Sequence, residues 1–146
     1  MGKLKIEGFP CQKNVPHLIP DWAVEIVEDV EPTVTEGAKL LFSGFLRGKE
    51  TYTDGPTMRK RAVEMVANKG LSDVPALLGK DGKGLETIPA ELRGNAYVVL
   101  SGTTVRRDSS GSLFVPYLLW RGGEWGLDFV RLDDVWYGSV RLVSCE

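Results

Sequence analysis

Histidine is nearly missing from this 146-residue chain: His17 stands alone, so no multi-histidine metal centre is possible. Cysteine is almost as scarce. Cys11 and Cys145 lie near opposite ends, too few for a disulfide framework or a zinc site. A reduced, cytoplasmic protein is expected, with a disulfide joining the ends as the alternative. No run approaches the roughly eighteen apolar residues of a membrane-spanning helix. The opening MGKLKIEGFP has no apolar signal-peptide core, and Ile6 stands where a myristoylation signal requires Ser or Thr. Neither charge sign dominates. Eighteen basic residues against twenty acidic ones leave a net charge of -2, which gives no general attraction to nucleic acid or to a membrane.

What is present is ordinary for a globular domain: 42% apolar and 26% charged residues, enough for a real core in a single domain spanning 1–146. KLKIE at 3–7 alternates as an edge strand does. Residues 8–20 carry Pro10, Pro16 and Pro20 and complete an extended arm over 1–20. Residues 21–31 place Trp22, Ala23, Ile26, Val27 and Val30 on one helical face, with Asp21 as N-cap and Pro32 beyond the end. The β-branched content favours a strand instead. Thr33 and Glu36 have capping-box spacing before Ala38, Leu41, Phe42, Phe45 and Leu46, which predicts a helix over 34–47 with a strand over 39–47 as the alternative. PTMRKRAVEMVANKG, from Pro56 to Gly70, is a helix with Met58, Ala62, Met65 and Val66 as its buried stripe. A helical turn follows at 72–78, a loop at 79–84, and one more turn within IPAELRG. From Asn95 the chain turns β-rich. The expected fold is α+β: N-terminal helices packed on a C-terminal antiparallel meander, with an NTF2-like cone or a mostly-β barrel as alternatives.

The stretch YLLWRGGEWGLDFVRLDDVW holds three of the four tryptophans. Gly122-Gly123 suits a two-residue hairpin turn, which sets Trp120 opposite Trp125, Leu118 opposite Leu127 and Tyr117 opposite Asp128. Alternation then puts Phe114, Leu118, Trp120, Trp125, Leu127 and Phe129 on a core face. The second face carries Val115, Tyr117, Leu119, Asp128 and Val130, too apolar for water. It needs covering by the arm, by a second subunit, or by curling round a cavity.

Asp128 on that face is a candidate acid or ligand-binding carboxylate with Tyr117 as its partner; the plainer role is a hydrogen bond to Tyr117, an arginine pair or simple solvation. Trp136 and Tyr137, in a turn-like stretch beyond the hairpin, are candidates for partner contact. Cys11 and His17 are six residues apart in the arm, a weak form of a Cys–His dyad. GKDGKG lacks the Ser or Thr that follows a Walker lysine. DSSG at 108–111 is a turn, not a nucleophile elbow. Asp133-Asp134 has no further ligands at a metal-binding spacing and reads as a turn. Arg59, Lys60 and Arg61 open the best helix; they form either a phosphate-binding patch or the basic partner of the acidic segment 21–36.

RGGEWGLDFVRL, residues 121–132, resembles a late strand of the cone-shaped NTF2-like proteins, which often enclose a small-molecule pocket. The strand that follows it departs from that family, and the resemblance implies no residue roles. The residues together predict a non-enzymatic binding or interaction module without a cofactor. It is expected to pair as a two-fold dimer through the second face or through Trp136 and Tyr137. A small-molecule-binding protein, or an enzyme using Asp128 and Tyr117, is the alternative.

Overall fold

The computed structural model describes residues 8–108 and 111–145. The expected edge strand at 3–7 and the centre of the DSSG turn lie outside the described residues. Strands dominate: β1 (Glu25–Glu28), β2 (Leu40–Ser43), β3 (Tyr52–Asp54), β4 (Tyr97–Val99), β5 (Thr104–Arg106), β6 (Leu113–Arg121), β7 (Glu124–Arg131), β8 (Val135–Tyr137) and β9 (Val140–Cys145). The α-helices are α1 (Pro10–Asn14), α2 (Gly55–Glu64) and α3 (Val74–Leu78), with short 3-10 turns between elements. Seven strands form one curled mixed sheet in the order β1-β5-β6-β4-β9-β2, with β7 on the other edge of β6, while β3 and β8 make a separate ribbon.

The β6–β7 hairpin has the register that its turn dictates. Trp120 faces Trp125, Leu118 faces Leu127 and Tyr117 faces Asp128. Gly122 and Gly123 take φ of +64° and +84°, which matches a two-residue turn whose twist follows that of the strands. The two indole rings meet edge-on at 5.8 Å. Trp125 is buried, and its face carries Leu118, Phe114 and Phe129 into a core closed by Leu71, Val74, Leu77, Ile88 and the arm residues Cys11 and Val15.

The other edge of β6 decides the rest of the architecture. Val99 faces Tyr117 and Val105 faces Phe114, so six residue steps from β4 to β5 run against three along β6. Three extra residues are thrown out between β4 and β5, and the sheet divides there. β1 continues it antiparallel beside β5; β9 continues it parallel beside β4, with β2 antiparallel beyond. The chain at 68–73 fills the fork. Asn68 bridges Val143, and the Gly102 amide donates to the Lys69 carbonyl at 2.9 Å. A Cβ on Gly102 would stand 2.3 Å from the Asn68 carbonyl oxygen, so the approach requires glycine.

This fork explains where the sequence reading of 21–47 goes wrong. Neither segment is helical: 25–28 and 40–43 are strands, so the order of N-terminal helices on a C-terminal meander is replaced by strands contributed from both halves. A lone helix of about a dozen residues gains little in water, whereas β5 and β9 offer open edges to pair with. The capping-box residues are used elsewhere. Asp73, on the far side of the fork, accepts from the Thr33 and Val34 amides, both at 2.9 Å, and Glu36 pairs with Lys80.

The second sheet face is covered by α2 and the β3–β8 ribbon. Met58 and Ala62 of α2 join Phe45, Leu132 and Trp136 over Val99, Val115 and Leu142. Asp54 caps α2, accepting from the Thr57 amide at 2.7 Å, and Pro56 occupies its first turn. The basic start of α2 turns to acids within the fold. Arg59 pairs with Glu28, and Arg61 pairs with Glu50 at 2.6 Å while donating to the Phe45 carbonyl. The Arg61 guanidinium holds the Glu50 carboxyl down to about 2.

α2 is shorter than expected, and its end is strained. The Ala67 amide donates to the Ala62 carbonyl and the Val66 amide to that of Val63, the paired bonds of a Schellman cap. Val66 is therefore forced to φ +53°, and it is 70% exposed rather than part of the buried stripe. A β-branched residue there is an outlier whose left-handed backbone costs about 1–2 kcal/mol. Val66→Gly removes that cost and loses some through unfolded-chain entropy, so it is expected to raise unfolding stability by about 0.5–1 kcal/mol in urea titrations at unchanged m-value. A destabilised variant would contradict strain at this cap.

Candidate functional site

Covering by α2 and the ribbon stops short at one end of the second face. Five strands deliver residues to the uncovered end: Tyr97 from β4, Tyr117 from β6, Val130 from β7, Trp136 and Tyr137 from β8, and Val140 from β9. With Asp134 they line a groove of about 200 Å³. The parallel pairing of Tyr97 with Val140 brings β9 to the groove, and antiparallel pairing of β8 with β3 sets Tyr137 against Tyr52. Rings of Tyr97 and Tyr117 meet edge-on at 5.7 Å; those of Tyr52 and Tyr137 lie 6.4 Å apart. Tyr97, Val135, Tyr137 and Tyr52 are 45–58% exposed, an unusual concentration of large side chains in water.

Three of the residues singled out in the sequence thus meet here: Tyr117, Trp136 and Tyr137. Trp136 has a different place from the exposed one considered for it. It is buried, and its indole N–H donates to the Leu132 carbonyl at 2.9 Å, which makes it the floor that anchors β8. Tyr137 is the exposed member of the pair. Asp128 is a cross-strand neighbour of Tyr117 but does not sit in an apolar cleft. It is exposed, and its carboxylate accepts from the Phe129 amide at 2.8 Å. Burial first, and the Asp128 charge second, raise the Tyr117 hydroxyl above the ordinary phenol value. That direction keeps the Tyr117 hydroxyl protonated and makes it a weaker acid. Comparisons with protein-family models, with curated proteins and with solved structures found no match. The NTF2-like resemblance accordingly rests on residues 121–132 alone.

A larger cleft of about 660 Å³ lies between the 34–38 loop and the 75–87 segment. Its volume alone would make it the favoured ligand site, but part of its polar lining is already paired. Glu36 and Lys80 pair with each other across it at 3.4 Å, both well exposed, and the Thr87 hydroxyl donates to the Leu77 carbonyl. The aromatic groove, where large exposed rings gather, is the better candidate for a protein contact. Nothing in the sequence announced Tyr97 or Asp134 as members of that groove. Tyr97 was one alternating residue of a long strand, and only the β4–β6 register places its ring beside Tyr117.

The remaining candidates are kept apart. Cys11 is fully buried, whereas His17 is exposed on the adjoining 3-10 turn, so no dyad forms. Burial, followed by the thiol's hydrogen bond to the Asp29 carboxylate, raises the Cys11 thiol far above the usual range. Both cysteines are free. Asp133 pairs with Arg131 at 3.1 Å in the turn before β8, and among the described residues no group of three or more His, Cys, Asp or Glu could hold a metal ion. Nor is any described helix long and apolar enough to cross a membrane. A thiol reagent at pH 8 is expected to modify only Cys145 in the native protein and both cysteines in denaturant. Rapid native reaction at Cys11 would contradict its burial.

Proposed function

We propose that this protein is a binding module, not an enzyme, and that its aromatic groove receives a single side chain of a protein partner. One observation carries the reading: Tyr97, Tyr117, Trp136 and Tyr137 converge from three strands, β4, β6 and β8, on one small groove at the edge of the second core. Tyrosine and tryptophan are the side chains that interface centres favour, because they bury much area at small entropic cost. Size selects the occupant. Sites for whole small molecules run to roughly 300–1,000 Å³, whereas about 200 Å³ suits one anchoring side chain. The acid–base alternative is weakened by the solvated Asp128 and the raised Tyr117.

Self-association is the second reading, favoured by the ridge of Val135, Tyr137 and Tyr52 beside the groove: a two-fold pair could set each ridge into the other copy's groove. A dimer has less apolar surface to bury than the sequence implies, because α2 and the ribbon cover most of the second face.

Titration of the isotope-labelled protein with N-acetyl amides of single amino acids tests the groove. At least one is expected to shift the Trp136 indole and the Tyr97 and Tyr137 amides, with the effect lost in Tyr137→Ala. Shifts confined to the larger cleft, at Gly79 and Thr87, would overturn the reading. Sedimentation at micromolar concentration separates the two versions: a dimer dissociated by Tyr137→Lys selects self-association, and a monomer selects a different partner.

A further inference from the structure

The groove is not electrostatically neutral. Its lining carries one charged side chain, Asp134, and that charge is negative. Among the described residues no cation forms a salt bridge with Asp134, although Arg131 and Arg141 are close in sequence. Arg141 is held elsewhere, and Arg131, although it feels the Asp134 charge, is committed to Asp133. Arg131 makes a two-pronged contact with Asp133, Nε and Nη2 each at 3.1 Å, and Arg141 donates to the Gly138 and Val140 carbonyls. Asp134 and Val135 are also shared with a neighbouring cleft whose walls add Glu50, Asp54 and Asp133 against Lys49 alone. With Arg61 paired to Glu50 and Arg131 to Asp133, two carboxylates, Asp54 and Asp134, stand against one ammonium, an excess of one negative charge along this edge.

Aromatic faces and a carboxylate in one small groove are complementary to an organic cation. A ring's quadrupole attracts a cation, and that attraction grows as the cation is desolvated. A neutral side chain gains only apolar contact there, and an anion is repelled. Of the two basic side chains, arginine fits better: its guanidinium is planar, stacks on rings, is weakly hydrated and can reach a carboxylate with two parallel hydrogen bonds. We infer that the occupant of the groove is an arginine side chain of a protein partner, stacked among Tyr97, Tyr117 and Tyr137 and paired with Asp134. The inference rests on the groove being the binding site and adds what chemistry it selects.

N-acetyl-arginine amide and N-acetyl-citrulline amide, which differ in charge but scarcely in shape, form the test on the full chain. The arginine probe is expected to bind about five- to tenfold more tightly than citrulline. The ratio should fall toward one in Asp134→Asn and shrink with added salt. Asp134 is a surface residue of a turn, so the variant is expected to fold, and an unchanged spectrum outside the groove checks this. Equal binding of arginine and citrulline, or tighter binding of the leucine or phenylalanine amide at the same residues, would overturn the cation while leaving the groove as the site. Binding of no amide at these residues would overturn both.

Discussion

Thr103 stands where the sheet divides, and its hydroxyl ties together three segments that are distant in sequence. It accepts from the Leu71 amide at 2.8 Å and donates to the Asp29 carboxylate at 2.6 Å; the other Asp29 oxygen accepts from the Cys11 amide at 2.8 Å. Nearby, buried Asp73 holds the Thr33 and Val34 amides, and Lys69, itself only 7% exposed, donates to the Thr33 hydroxyl at 2.5 Å. A divided sheet leaves backbone groups without ladder partners, and a buried orphan costs about as much as a lost hydrogen bond. Here the 68–73 segment and the two carboxylates supply partners. Hydrogen bonds to charged groups contribute about 1.5–3 kcal/mol each, and removing one partner leaves the other buried and unsatisfied.

The groove depends on that arrangement. Without the fork, β9 would have no place beside β4, and Tyr97 would not meet Val140. The ribbon is held from the same side, since Trp136 packs with α2 residues Met58 and Ala62. The two cores, one on each sheet face, therefore share a single polar seam. The binding surface lies at the edge of the second core, where the covering ends and the aromatic side chains meet water.

The hairpin was legible because strict alternation and a Gly-Gly pair fix both faces and register together. α2 was legible at its start, where Asp54 and Pro56 act locally, but not at its end, because Val66 occupies a conformation that valine seldom adopts. Residues 21–47 misled for a physical reason. Ile26 and Ala23 point into the core and Asp29 also turns inward, so the apolar spacing imitates a helix while the pairing partner, β5, lies far along the chain. Thr33 and Glu36 had the right spacing for a capping box, yet tertiary partners claimed both. Of the groove, Tyr117, Trp136 and Tyr137 could be named from their neighbourhood. Tyr97 and Asp134 could not, because the groove is made by register between strands and by a fork that three unremarkable residues create.

Amide hydrogen exchange under native conditions tests the seam most directly. If the fork and its plug unite both cores, the Leu71, Gly102 and Cys11 amides open only with the whole molecule, and their exchange free energies match those of Val99 and Leu118 in the central strands. Exchange at Leu71 and Gly102 that approaches unprotected rates while Val99 and Leu118 stay protected would contradict it: the plug would then be a loop resting on a sheet that is stable without it.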